Sequence, residues 1–207
     1  GTNFEFVTDL QNVLESRAND VFVNARSRIG DQATFRVINS FENVPVPFFL
    51  PRNIPVLSGT YRWTNVNVGV RTFNGRLLTL QADVTCCSFY DGNAVTTRVT
   101  LIFRPSTLFE INVGHEANAI DLPTGAVDIH LATTDAVVNF TPDMQVALQA
   151  QYDNISKNFA LSTRYLWEYR PGNELFVGLG QSALISERGF IAQTTQATIR
   201  LGHTFRF

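Results

Sequence analysis

The last twelve residues, Gln196 to Phe207, alternate almost strictly between apolar and polar side chains and end on an aromatic residue. In an extended strand Ala197, Ile199, Leu201, Phe205 and Phe207 share one face, and Thr198, Arg200, Gly202, Thr204 and Arg206 share the other. A long strand with one greasy face and one cationic face suits hydrocarbon on one side and water on the other, the pattern of a transmembrane β-barrel. The same alternation also describes a half-buried strand at the end of a soluble β-sandwich, because period alone does not distinguish lipid from protein core.

This ending resembles the carboxyl-terminal sorting signal of bacterial outer-membrane barrels. Leu201, Phe205 and Phe207 carry the resemblance, and His203 is the odd member of that face. The resemblance implies that the last strand is read by the barrel assembly machinery.

Working back from Phe207, runs with a two-residue period are separated by turn clusters, and no helical period of comparable strength appears. Asn173 to Ile185 alternates Leu175, Val177 and Leu179 with Glu174, Gly178 and Gly180. Asn158 to Tyr169 sets Phe159, Leu161, Thr163, Tyr165, Trp167 and Tyr169 against Ser162, Arg164 and Glu168. Upstream, Met144, Val146, Leu148, Ala150 and Tyr152 oppose Gln145, Gln149, Gln151 and Asp153, while Val95, Val99, Leu101 and Phe103 oppose Thr96, Arg98, Thr100 and Arg104. Further strands are expected near Leu108 to Ile120, Ala126 to Phe140, Arg76 to Phe89, Thr60 to Phe73, Gln32 to Phe41, Asp20 to Arg28 and Asn3 to Leu10. The reading is an all-β, antiparallel up-and-down barrel of about twelve strands in one domain, 1–207. The alternative is the last part of a larger barrel.

Composition fits this reading. The chain is 44% hydrophobic and 16% charged, yet no stretch approaches the roughly 20 apolar residues of a spanning helix. Seventeen Phe, five Tyr and two Trp could supply interfacial girdles. A net charge of −2, from 16 basic and 18 acidic residues, gives no bulk attraction for nucleic acid. Adjacent Cys86 and Cys87 read as packing residues without a metal role, since on a regular strand they point to opposite sides. The chain opens Gly1-Thr2-Asn3-Phe4 without a signal peptide, so either one has been removed or a longer protein is expected.

Counted from the carboxyl end, the turns sort into two sets. Arg170-Pro171-Gly172, Thr141-Pro142-Asp143, Arg104-Pro105-Ser106, Phe73-Asn74-Gly75 and Ile29-Gly30-Asp31 are tight and fall on the expected periplasmic side. The other side receives longer connections, among them Gln11 to Asn19 and the Glu42 to Gly59 stretch. Pro45, Pro47, Pro51 and Pro55 exclude a central strand from the latter. Its plain reading is a surface loop packed on its own aromatics, and the alternative is a constriction or docking element at a barrel mouth.

Ser88-Phe89-Tyr90-Asp91-Gly92, Phe103-Arg104-Pro105-Ser106, Leu122-Pro123-Thr124-Gly125, Gln149-Ala150-Gln151-Tyr152-Asp153 and Tyr165-Leu166-Trp167-Glu168-Tyr169-Arg170-Pro171-Gly172 follow one another at hairpin spacing. Together they resemble the carboxyl-terminal region of an uncharacterised family of bacterial outer-membrane proteins, over roughly Phe41 to Phe207. The resemblance implies an outer-membrane barrel preceded by a carbohydrate-binding-like module that this chain lacks. It implies no established activity.

No nucleophile elbow, zinc-protease motif, phosphate-cradling glycine loop or spaced Cys/His cluster is present, and no cofactor or metal is expected. Asp128 and His130 could orient one another for a nucleophile such as Ser88, with Glu110 nearby, which would make a barrel-embedded hydrolase. The plainer reading is non-enzymatic. It places Arg26, Arg28, Arg98, Asp128, His130, Arg164, Glu168, Arg200 and Arg206 on a wet inner face, because an Arg facing hydrocarbon at mid-depth costs about 2 to 4 kcal/mol. Glu168, Asp83, Asp128 and Asp153 are the expected acids among them. Unpaired arginines at a constriction would select anions, whereas cross-paired charges would plug a narrow interior. About eight strands leave a filled interior and about sixteen an aqueous channel, so twelve lies between. The expected functions are passage or uptake of small hydrophilic solutes, or a non-conducting anchor for a soluble module or protein partner, in contact with outer-membrane lipid.

Overall fold

The computed structural model describes residues 1–187 and 189–204. Twelve strands form one sheet in which each lies beside its neighbours in sequence: β1 (Thr2–Thr8), β2 (Leu14–Arg26), β3 (Gln32–Val44), β6 (Gly59–Arg71), β7 (Leu78–Phe89), β8 (Gly92–Ser106), β9 (Phe109–Leu122), β10 (Gly125–Thr141), β11 (Met144–Asp153), β12 (Asn158–Arg170), β13 (Asn173–Ser186) and β14 (Gly189–His203). The excursion between β3 and β6 forms a separate hairpin of β4 (Phe48–Leu50) and β5 (Ile54–Val56) around the 3₁₀ turn Pro51–Asn53. The fold is all-β, antiparallel and up-and-down, with the strand number and connectivity of a β-barrel. No described helix is long and apolar enough to cross a membrane.

The chain divides into two compact units. The first comprises Gly1–Asn74, Leu80–Val99 and Glu116–His130. Within it, strand register sets Val23, Phe35, Val68 and Val84 side by side on one face, and Phe22, Arg36, Asn67 and Thr85 on the other. The second comprises Gly75–Thr79, Thr100–His115 and Leu131–Phe207. There Val138, Val146, Tyr165, Val177 and Ile199 make one cross-strand row on the apolar face, and Asp135, Gln149, Ser162, Gly180 and Gln196 make one on the polar face. Register is held this uniformly because a slip of one residue would exchange the two faces.

The apolar face is exposed, where a soluble sheet would cover it. Val23 is 66% exposed, Ile199 74% and Leu201 75%, all on the apolar face. The buried hydrophobic residues among those described are Val44, Ile54, Val56, Ile102, Leu122, Val127 and Ala183. Four of these, Val44, Ile54, Val56 and Leu122, lie on the β4–β5 excursion or at the ends of β3 and β9.

Several expectations about connections are corrected. Gln11 to Asn19 is not a long loop: β2 already begins at Leu14, and a turn over Asp9–Val13 is closed by Asp9 Oδ1, which accepts from Gln11 N and Val13 N at 2.8 Å each. The connections after β7 and β9 also shrink to tight turns, so the sorting into a short side and a long side does not hold for them. Cys86 and Cys87 are joined as a disulfide where packing residues were expected. The backbone there leaves strand geometry, with φ of 137° at Cys87, so the two side chains no longer point to opposite sides.

Candidate functional site

The polar face is a ladder of cross-strand charge pairs. Arg98 on β8 forks onto Glu116 of β9, Nε to Oε2 at 2.9 Å and a terminal nitrogen to Oε1 at 3.1 Å. Asn118 Nδ2 donates to the same Oε1 at 3.1 Å and its Oδ1 accepts the Thr96 hydroxyl at 2.7 Å, which extends the network along both strands. Arg104 pairs with Glu110, which also accepts from Asn112 at 3.0 Å. Arg36 approaches Asp20 at 3.4 Å and lies over the Phe22 ring, 5.3 Å from its centroid. Arg200 donates to Glu174 Oε1 at 3.1 Å and lies over Phe176 at 5.2 Å. A bidentate Arg–carboxylate pair holds both partners in fixed geometry, so within these pairs the charges offset one another locally.

The predicted residues are placed as follows. Arg26 ends β2 on the face of Phe22 and Asn24, opposite Gln32. Arg98 and Arg200 are in the ladder. Arg164 lies on the same face of β12, across from Ala147 and Gly178. Glu168 also shares that face, but its Oε1 accepts from Gly172 N at 2.7 Å and so closes the β12–β13 turn. Leu201 lies on the apolar face opposite Leu175. Arg206, Phe205 and Phe207 lie outside the described residues.

Three placements are corrections. Arg28 is not on a strand face; it falls in the turn beyond β2, closed by Ser27 N donating to Asp31 O at 2.8 Å and by Gly30 at φ 96°. Asp128 and His130 alternate with Val127 and Ile129 and are exposed, as Ala126 and Ala132 are, on the face opposite Thr133 and Asp135. They do not share the arginines' face. Glu110, imagined as their helper, is bound to Arg104 and Asn112. β10 has 17 residues against the roughly 9 to 11 of a spanning strand, so its first rows are free to carry polar side chains on either face. Acids outside the expected set also meet the arginines. Among the described residues Glu116, Glu174, Asp20 and Glu110 make the pairs, while Asp153 Oδ1 closes its own turn on Ile155 N at 2.6 Å. Their sequence signal was present: each partner acid falls on the polar parity of its strand.

The β4–β5 excursion folds against sheet residues of the first unit rather than packing only on itself. Thr124 donates to Pro55 O at 2.8 Å, and Ile54 and Val56 are buried. Tyr90, in the turn after β7, sits at the centre of a ring cluster, with centroids 5.9 Å from Phe48, 5.0 Å from Tyr61, 5.0 Å from Trp63 and 4.6 Å from Phe89. Its hydroxyl donates to Glu42 Oε2 at 3.0 Å. Burial, helped by that carboxylate, pushes the phenol pKa well above its ordinary value. Tyr61 and Trp63 are on the polar parity of β6, opposite Glu42 and Ser40, so the excursion is anchored over the polar face.

No group of three or more His, Cys, Asp or Glu among the described residues could hold a metal ion. The chain matches no family model and no curated protein, so the expected upstream carbohydrate-binding-like module is without support. Among solved structures, 100% of the chain aligns with 98% of the NanC porin at 10% identity and a TM-score of 0.38, a likeness too loose to bear on what this chain does.

Proposed function

We propose that this chain is a bacterial outer-membrane β-barrel whose polar face lines a passage for small hydrophilic solutes. The observation that carries this is the exposed apolar face: Val23, Phe35, Leu179, Ile199 and Leu201 stand exposed on one side of the sheet while Arg98, Glu116, Arg200 and Glu174 pair on the other. Leaving a Val, Leu or Phe side chain in water instead of an apolar medium forgoes about 1.5 to 3 kcal/mol. Repeated over a dozen strands, that loss is removed by hydrocarbon, whose outer-membrane form accepts barrels with an outward apolar band about 25 Å tall. Aromatics fit the two borders of such a band. Trp167 and Tyr169 stand near the β12–β13 turn, and Tyr152, Phe159 and Phe190 toward the opposite end of their strands. The paired charges argue for a passage that tolerates polar solutes of either sign, in place of an anion-selective arginine ring. The carboxyl-terminal strand, with Leu201 outward, is the segment offered to the barrel assembly machinery. Single-channel recording in planar bilayers tests the passage: discrete conductance steps are expected, and silence at all voltages overturns it.

A second reading is a non-conducting anchor that carries a soluble module or docks a protein partner. The β4–β5 excursion, held over the polar face by Thr124 and the Tyr90 cluster, favours it. Silence in the bilayer together with a partner copurifying from outer membranes supports this reading over the passage.

A further inference from the structure

On the apolar face of the first unit, three cross-strand rows are wholly aliphatic or aromatic: Val21–Val37–Val66, Val23–Phe35–Val68 and Ala25–Ala33–Val70. One row further toward the β3–β6 connection the face changes to Asn19–Asn39–Thr64, and the next row is Arg17–Phe41–Arg62. Two guanidinium groups therefore stand on the lipid-side parity of adjacent strands, with one phenylalanine between them. Their central carbons lie 5.9 Å (Arg17) and 5.4 Å (Arg62) from the Phe41 ring centroid.

Two like charges across a single ring repel, and apart from that ring no described residue offsets them. Neither arginine forms an ion pair among the described residues, although Arg36, Arg98, Arg104 and Arg200 all do. Glu15, two residues from Arg17, is exposed and pairs with neither. Arg17 Nε is buried and has no hydrogen-bond partner. A groove of about 360 Å³ opens beside Arg17, Asn39, Arg62 and Thr64, and Thr64 already donates its hydroxyl to Asn39 Oδ1 at 2.8 Å. Two strand spacings separate the arginines, about 10 Å, a gap that a tetrahedral oxyanion with several acceptor oxygens can bridge through extended guanidinium groups.

We propose that Arg17 and Arg62 seat the phosphate group of a membrane lipid on the outside of the barrel. The inference rests on the reading of the exposed apolar face as lipid-facing. A charged side chain on that face costs about 2 to 4 kcal/mol at mid-depth but about 0 to 1 kcal/mol near the interface, so this row marks headgroup level. The anion is a lipid's because three apolar rows begin one polar row below the arginines, on the same face, and offer its acyl chains a surface. The Asn39 amide nitrogen and the guanidinium groups of half-buried Arg17 and exposed Arg62 then supply donors that a phosphomonoester can use and a zwitterionic choline headgroup satisfies poorly.

The test titrates the full chain, folded in neutral detergent, with dihexanoyl phosphatidic acid, with dihexanoyl phosphatidylcholine and with inorganic phosphate, and reads bound ligand by native mass spectrometry. Phosphatidic acid is expected to bind at least about tenfold more tightly than either of the others, the difference one charge-assisted contact makes. Arg17→Gln with Arg62→Gln should remove that preference, and Arg17→Lys with Arg62→Lys should retain part of it, which excludes misfolding as the cause. Equal binding of the two lipids, or an unchanged preference in the Gln pair, overturns the site. Inorganic phosphate binding as tightly as phosphatidic acid makes it a free-anion site and overturns the lipid. Insertion of the parent into phosphatidylcholine vesicles is scored separately: failure to insert sinks the membrane reading, whereas insertion without a preference for phosphatidic acid sinks this proposal alone.

Discussion

The Tyr90 hydroxyl and the Glu42 carboxylate meet at 3.0 Å, across 48 residues of chain, and join the turn after β7 to the end of β3. Between them they hold the base of the β4–β5 excursion, because Phe48 and Tyr61 both pack on the Tyr90 ring.

Tyr90→Phe keeps the ring contacts and removes the donor to a carboxylate, and is expected to lower stability by about 1.5 to 3 kcal/mol. The phenol also predicts a pH dependence. Its pKa is raised in the folded protein above an unfolded value of 10.0, so the folded state holds the proton more tightly. That contribution is complete below about pH 10 and is lost as pH rises through 10 toward the folded value. Denaturant midpoints measured from pH 8 to pH 11.5 should fall more steeply for the parent than for Tyr90→Phe. Parallel curves would show that this hydroxyl has no such role.

Val56 is 2% exposed at the heart of the excursion. Val56→Asp buries a carboxylate without a partner and is expected to free the hairpin while leaving the twelve-strand sheet intact, since β4 and β5 pair only with one another. Limited trypsin digestion should then cut after Arg52, which lies in the turn between the two strands, and the parent should resist at that bond. If the excursion narrows the passage, the same variant also raises single-channel conductance.

Most of the sheet was legible because alternation on both faces is what a barrel demands of nearly every strand. Met144–Asp153 has the expected ends, and β12 and β13 differ from expectation by a single residue at one end. What escaped lies where that demand lapses. Glu15 to Asn19 looked like a loop because Arg17 and Asn19 occupy outward positions that are apolar further down β2, and those positions lie beyond the apolar rows. Asp128 and His130 were assigned inward on charge alone, at the start of a strand longer than a span requires. The acids that meet the arginines depend on cross-strand register, which a single strand's pattern does not encode. The β4–β5 hairpin was hidden by its prolines, which forbid a central strand but not a pair of three-residue strands outside the main sheet.

Gly92 begins β8 against the end of β9, and a Cβ there would stand 2.1 Å from Asp121 O and 2.9 Å from the Leu122 Cα. Both are backbone atoms, so no side-chain rotation relieves the overlap. Gly92→Ala should destabilise by about 1 to 3 kcal/mol as the two strands part. Gly180→Ala is its control, because nothing lies within 4 Å of a Cβ at that position. Heat-modified mobility on semi-native gels separates the two, and equal melting would show that the β8–β9 contact yields freely.

Leu179 and Gly180 are neighbours near the middle of β13 that face opposite ways, and together they test which face is dry. Leu179 is 55% exposed in the row of Ala136, Leu148, Thr163 and Ala197, whereas Gly180 lies in the row of Asp135, Gln149, Ser162 and Gln196 with open space above it. In a soluble sheet an exposed leucine tolerates arginine, since surface substitutions stay within about 0.5 kcal/mol. In a bilayer Leu179→Arg costs about 2 to 4 kcal/mol, while Gly180→Arg projects into water and should leave folding nearly unchanged. Refolding yield into phosphatidylcholine vesicles should therefore drop for Leu179→Arg alone. Gly180→Arg should insert normally and narrow any conductance by filling space on the polar side. If Leu179→Arg inserts as well as the parent and Gly180→Arg does not, the two faces have been assigned the wrong way round, and the polar ladder of Arg98, Glu116, Arg200 and Glu174 is not a lining.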